Sequence, residues 1–181
     1  MVKKLLIVGD SFSASAEPAS WTTNFDNYIV DNVSICGSSE YKLIKKLNSV
    51  NTADYDNIIF VHTSPNRIYV ESNPYYCTSP THQNCDLLYQ DMHSRLPDQF
   101  ATNICWWFEN VFDIEHAWFT HSLLIDYAVK QVPGALHITF FDYQHPKVNN
   151  LHRIWETHPG SINHLSTQGN TEVVEFLKQY L

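Results

Sequence analysis

Apolar positions in this chain alternate between short unbroken runs and stripes at helical spacing. Leu5-Leu6-Ile7-Val8 is an unbroken run that stops at Gly9, and Asn57 to His62 carries another at its Ile-Ile-Phe-Val centre. Short runs bounded by turn residues fit strands covered on both faces. Val33 to Cys36, ending at Gly37, reads as a further short strand, and Leu136 to Phe141 follows the breaker Pro133-Gly134 as another. Between these runs the spacing becomes helical. Trp21, Phe25, Tyr28 and Ile29 share one face and predict a first helix, while Leu43, Ile44 and Leu47 predict a second, capped by Ser38 or Ser39. Phe100, Ile104, Trp107, Phe108 and Val111 predict a third helix, and Leu124, Ile125, Ala128 and Val132 a fourth. Val173, Val174, Leu177 and Leu181 form the stripe of a closing helix, with Ser166 or Thr167 as its cap.

Strands alternating with helices specify a parallel sheet with right-handed crossovers, because parallel neighbours cannot be joined by a tight hairpin. The class is α/β: three layers around a flavodoxin-like parallel sheet of four or five strands, in one domain over residues 1–181. From about 71 to 99 the pattern breaks into Asn-Pro, Ser-Pro and polar residues, too long for an ordinary connection, which reads as an insertion over the active edge. Asp142 to Ser166, rich in His, Asn and Pro, reads as a loop.

A chain of 181 residues buries a core without staples. Its formal net charge of −8 argues against nucleic acid and anionic membranes as partners, and Lys42, Lys45 and Lys46 form a local cluster rather than a phosphate track. The first apolar run is far too short for a signal core or a membrane span, so the expected location is cytoplasmic. Four cysteines in such a chain favour free thiols, with a Cys77–Cys85 bridge left open for a protein that is released or built into a particle. Cys77, His82, Cys85 and His93 match no common zinc spacing and read as surface loop. The aromatics Trp106, Trp107, Phe108, Phe112, Trp118 and Phe119 have the helical spacing of core packing, with a carbohydrate or acyl floor as the rarer reading.

The chemistry concentrates where the first strand ends. Ser11 in Gly9-Asp10-Ser11 stands at the carboxyl edge of the sheet, where open α/β folds bind ligands, as either a nucleophile or a helix cap. A serine nucleophile needs a base and donors for the oxyanion. Gly9-Asp10-Ser11 after the first strand, Gly37 after the second, Asn66 beyond the third and His164-Leu165-Ser166 before the closing helix resemble the four ordered blocks of the SGNH, or GDSL-type, hydrolases. Thr63-Ser64-Pro65-Asn66-Arg67 and Asn163-His164-Leu165-Ser166 are most similar to versions found in bacteriophage genomes.

The resemblance implies Ser11 as nucleophile, His164 as general base, and Ser11, Gly37 and Asn66 as oxyanion donors. It also implies that no cofactor is needed and that the substrate is a small ester, such as an O-acetyl group on carbohydrate or a short acyl ester. His158, in His158-Pro159-Gly160, competes for the base or lines the pocket. Arg67 replaces the usual aspartate of its block, as an anion-binding group or one half of a structural ion pair. The family's Asp-x-x-His puts Ser161 where the orienting acid belongs, leaving Glu156 and Asp142 as the nearest carboxylates, or a Ser–His dyad. Asp10 is expected to tie down the turn. The insertion and the loop from Asp142 to Asn163 are expected to overhang Ser11 and select the substrate. The rival readings are a catalytically weak or inactive relative that binds a glycan or a protein, and a flavodoxin-like phosphate or nucleotide binder lacking the usual glycine-rich fingerprint.

Overall fold

Strand alternation divides the apolar residues between two faces of a five-stranded sheet. In the computed structural model, which describes residues 2–14, 20–75, 85–160 and 164–181, β1 (Lys3–Val8) points Leu5 and Ile7 to one side and Leu6 and Val8 to the other. β2 (Tyr28–Asn32), β3 (Asn57–His62), β4 (Leu136–Thr139) and the two-residue β5 (Asn149–Asn150) complete the sheet, in the order β2-β1-β3-β4-β5 with every pair parallel. This is the flavodoxin-like order, with helices on both faces.

On one face α1 (Glu40–Leu47) and α4 (Ile114–Gln131) cover Leu6, Val8 and Phe60 with Leu43, Ile44, Leu47, Ala128 and Val132. Ser39 caps α1, as the sequence allows. On the other face α6 (Thr167–Leu177), capped by Ser166, brings Val173, Val174 and Leu177 onto Ile7, Ile59, Val61 and Ile138. Complete burial of these aliphatic side chains contributes about 1.5–3 kcal/mol each and sets the register of both layers. Two further helices, α2 (Tyr89–His93) and α3 (Gln99–Asn110), form a satellite cluster around Leu87, Met92 and Cys105.

Three sequence expectations are corrected. The helix expected over Trp21 to Ile29 is a single 3-10 turn at Trp21–Thr23 followed by β2. Asn24 and the Asp26-Asn27 turn interrupt the stripe, and the fully buried Trp21 is fixed by its indole N–H donating to the Phe12 carbonyl at 2.8 Å. The strand expected at Val33 to Cys36 begins upstream at Tyr28, and Val33 N and Ile35 N prolong its pairing by donating to Ile7 O and Gly9 O at 2.9 Å. The segment expected as a loop from Asp142 to Ser166 contains β5 and α5 (His152–Thr157), where Leu151, Ile154 and Trp155 close over the core in a pattern too short to register as a period.

The aromatic set also departs from core packing. Trp106, Trp118 and Phe119 are 59%, 40% and 64% exposed, because α3 and α4 turn mainly small or aliphatic residues inward. Only Trp107, Phe108 and Phe112 gather into a ring cluster, with centroids 5.2–5.7 Å apart. No helix among the described residues is long and apolar enough to cross a membrane.

Candidate functional site

The turn after β1 is built around a buried acid. Gly9 has no room for a side chain, since a Cβ there would meet Ser13 Oγ and lie 2.6 Å from Val61 Cβ. Asp10, fully buried, accepts from Phe12 N at 3.1 Å and from the Thr63 hydroxyl at 2.8 Å, while its carbonyl accepts from Ser13 N at 3.1 Å and Ala14 N at 2.9 Å. These bonds tie the turn to the end of β3. Burial raises the Asp10 pKa; the Arg67 charge, these hydrogen bonds and the His164 imidazole oppose that rise. Ser11 sits half-buried at the turn.

His164 arrives at this turn from the far end of the chain. Gly160 N donates to His164 O at 2.5 Å and Ser166 N to His158 O at 2.9 Å, so a short antiparallel contact between Pro159 and Leu165 delivers His164 just before α6. Its ring lies 6.0 Å from that of Phe12, the residue after Ser11, and acts electrostatically on Asp10. Phe12 is itself held by stacking on Phe140 at 4.8 Å and by an edge contact with Trp155 at 6.4 Å. No hydrogen bond joins Ser11 to His164; apo sites often tighten such bonds only on binding substrate.

Gly37 and Asn66 lie beyond β2 and β3. Gly37 adopts φ +66°, a left-handed conformation natural to glycine, and an added Cβ would lie 2.6 Å from Cys85 Sγ. Its carbonyl accepts from Asp86 N at 2.8 Å and, weakly, from Arg67 Nη1 at 3.5 Å. Asn66 is placed by its N–H donating to Ser64 Oγ at 3.2 Å, and its side-chain Oδ1 is buried without a partner. Among the described residues, the main-chain N–H groups of Ser11 and Gly37 and the Asn66 amide are all without hydrogen-bond partners.

The remaining candidates are placed elsewhere. His158 pairs with Glu172 of α6 at 2.8 Å, Glu156 pairs with His152 at 3.3 Å, and Asp142 is exposed. Ser161, Cys77 and His82 lie outside the described residues. Arg67 is mostly buried with no close counter-ion, its nearest carboxylate being Asp91 at 3.9 Å. Cys36, Cys85 and Cys105 are free thiols. Cys85 donates to Cys36 O at 3.2 Å, and burial pushes its pKa up to about 11.

Two groups were not singled out by the sequence reading. Asp86, fully buried, accepts from Ser39 N at 2.7 Å and Val70 N at 3.0 Å and pairs with Lys42 at 2.6 Å, thereby fastening the returning insertion to the start of α1 and to Gly37. Glu40, nearly as buried, accepts from Thr63 N at 3.2 Å and meets His62 Nδ1 at 2.7 Å; His62 Nε2 meets His137 Nδ1 at 2.9 Å, and His137 Nε2 meets Val132 O at 3.3 Å. A carbonyl only accepts, so His137 carries its proton on Nε2 and takes one from His62 on Nδ1. His62 therefore donates from Nε2, and against an ionised Glu40 it donates from Nδ1 as well. Burial alone raises the Glu40 pKa, but the charge and hydrogen bond of His62, together with the nearby His121, overcome this and hold it far below the ordinary range. The signal available in the sequence was a histidine closing an apolar strand and another inside the next.

Among the described residues, no group of three or more His, Cys, Asp or Glu is arranged to hold a metal ion. No family model matches this chain, and no curated protein sequence matches it.

Proposed function

We propose that the protein is a serine ester hydrolase of the SGNH type, acting on a small ester such as an O-acetyl carbohydrate or a short acyl ester, inside a bacterial host and from a phage genome. The observation that carries this reading is the approach of the His164 ring to Phe12, immediately beside Ser11. Three unengaged donors at the ends of neighbouring strands support it.

In this mechanism Ser11 Oγ attacks the ester carbonyl carbon while His164 takes its proton. The oxyanion is received by the N–H groups of Ser11 and Gly37 and by the Asn66 amide. His164 returns the proton to the leaving alcohol as the C–O bond breaks; water, deprotonated by the same imidazole, then splits the acyl-serine. Asp10 cannot serve as the usual orienting acid without giving up bonds that hold the turn, so the site is read as a Ser–His dyad with Asp10 acting through its field.

The second reading is a relative that binds a glycan or protein without turnover. It is favoured by the engagement of Glu156 with His152, which leaves His164 without a carboxylate in hydrogen-bond contact among the described residues. Labelling with a fluorophosphonate and turnover of p-nitrophenyl acetate, beside Ser11→Ala and His164→Ala, decide between them. Labelling abolished by Ser11→Ala supports the hydrolase; labelling that survives it overturns the site, and neither labelling nor turnover in the unaltered protein favours the binding module.

A further inference from the structure

Beyond Arg67, on the α1/α4 side of the sheet, lies a cavity of about 430 Å³ that includes neither Ser11 nor His164 in its lining. Its size falls within the range of sites for single small molecules. Trp107 of α3, Phe112 just beyond it and Tyr69 line it, giving flat aromatic surfaces. Ser39, Asp113, His116 and Thr120 are polar members of its lining. Arg67, His121 and Glu40 also line it, and their hydrogen bonding is unbalanced. Glu40 is satisfied by His62 and Thr63 N. Arg67 Nε and His121 Nε2 are both buried with no hydrogen-bond partner; the nearest carboxylate to His121 Nε2 is Glu40 at 3.5 Å, without hydrogen-bond geometry.

Unsatisfied buried donors are costly, and those of a charged group most of all. A ligand that supplies an acceptor oxygen to both groups removes that cost. We propose that this cavity is a binding site for a small aromatic or aliphatic carboxylate, its apolar body between Trp107, Phe112 and Tyr69 and its carboxylate on Arg67 and His121. A singly charged carboxylate suits the site better than a phosphate because Glu40 and Asp113 also line the cavity and oppose a second negative charge. The donor geometry of a guanidinium also matches a planar oxyanion. The site stands independently of the hydrolase reading, since it uses neither Ser11 nor His164.

Isothermal titration calorimetry with 2-naphthoate, and with 2-naphthylmethanol as its uncharged match, tests the proposal on the full chain. The expected result is saturable one-to-one binding of 2-naphthoate, weakened about tenfold or more for the alcohol and for Arg67→Gln, since a charge-assisted hydrogen bond is involved. Ala117→Trp, which fills the cavity from α4, and Trp107→Ala, which removes a wall, each abolish or strongly weaken it, with folding checked by circular dichroism. Ser11→Ala leaves binding unchanged. Absence of binding, equal binding of the alcohol, or loss of binding in a folded Ser11→Ala overturns the proposal. So does undiminished binding in folded Trp107→Ala.

Discussion

Phe12 and His164 meet with ring centroids 6.0 Å apart although they come from opposite ends of the chain, one following β1 and the other preceding α6. Phe12 is also stacked on Phe140 at 4.8 Å, so the imidazole lies tilted beside a ring fixed by the core. Phe12→Leu removes that ring contact while keeping most of the apolar volume, and should cost about 1–2 kcal/mol of stability. If His164 is the base, kcat for p-nitrophenyl acetate falls by at least about tenfold, since displacement of catalytic geometry by an ångström is expensive. Thermal unfolding and steady-state kinetics on the same preparation separate the two effects. A catalytic rate that follows only the folded fraction would remove Phe12 from the positioning of the base.

Gly37 combines a left-handed φ of +66° with Cys85 pressed against the space where a side chain would begin. Gly37→Ala should therefore destabilise the protein by about 2–4 kcal/mol, roughly 1–2 from the backbone conformation and the rest from overpacking. Adding Cys85→Ala relieves the Sγ contact but leaves Cys85 Cβ, which lies 2.8 Å from the added Cβ. Urea unfolding of the two variants should show partial recovery in the double mutant. Full recovery would mean that the left-handed conformation carries no cost at this position.

The sheet was legible in the sequence because its central strands are buried on both faces, and residues such as Leu5 to Val8 and Ile58 to Val61 must then be apolar without interruption. The edge strand β2 was not, because exposure frees Ile29, Asp31 and Asn32 from that requirement and Trp21, Phe25 and Tyr28 fall by coincidence at helical spacing. Ser11, Gly37, Asn66 and His164 were visible as residues at the ends of elements. The long-range partners that place them were hidden: nothing near Asp86 in the chain marks it as the acceptor for Ser39 and Val70. Nor does local spacing reveal that Glu40 will lie beneath His62.

Asp86 is the main fastening of the insertion as it returns to the sheet, through Ser39 N, Val70 N and Lys42. Asp86→Ala leaves the buried Ser39 N–H and the part-buried Val70 N–H without this acceptor and takes the close counter-ion from Lys42, a loss of about 3–5 kcal/mol. The damage should be local first. Hydrogen–deuterium exchange should show faster exchange at Gly37 to Glu40 and at Asp86 to Leu88, while the β1 and β3 amides keep their protection. Uniformly faster exchange across the sheet would mean that Asp86 supports the whole core rather than this junction.

The Glu40–His62–His137 chain makes stability depend on pH in a stated direction. Burial, with His62 next, lowers the His137 pKa from 6.5 to about 4. Between those values the unfolded chain binds more protons at this residue than the folded protein does. Stability therefore rises with pH across that window and is fully present above it; acidification from pH 6.5 to 4 removes up to about 3 kcal/mol through His137. Glu40 acts in the same direction at lower pH: its carboxyl is depressed in the folded state, so its contribution is present above the unfolded carboxylate range and fades as the pH falls further. His137→Gln removes the titrating imidazole, and it should flatten the dependence of Tm on pH between 6.5 and 4 even though it lowers Tm at neutral pH. Glu40→Gln, which leaves His62 without its carboxylate, should cost about 3–5 kcal/mol at pH 7. Scanning calorimetry of the three proteins across that interval tests both expectations, and an unchanged slope in His137→Gln would place the acid sensitivity elsewhere.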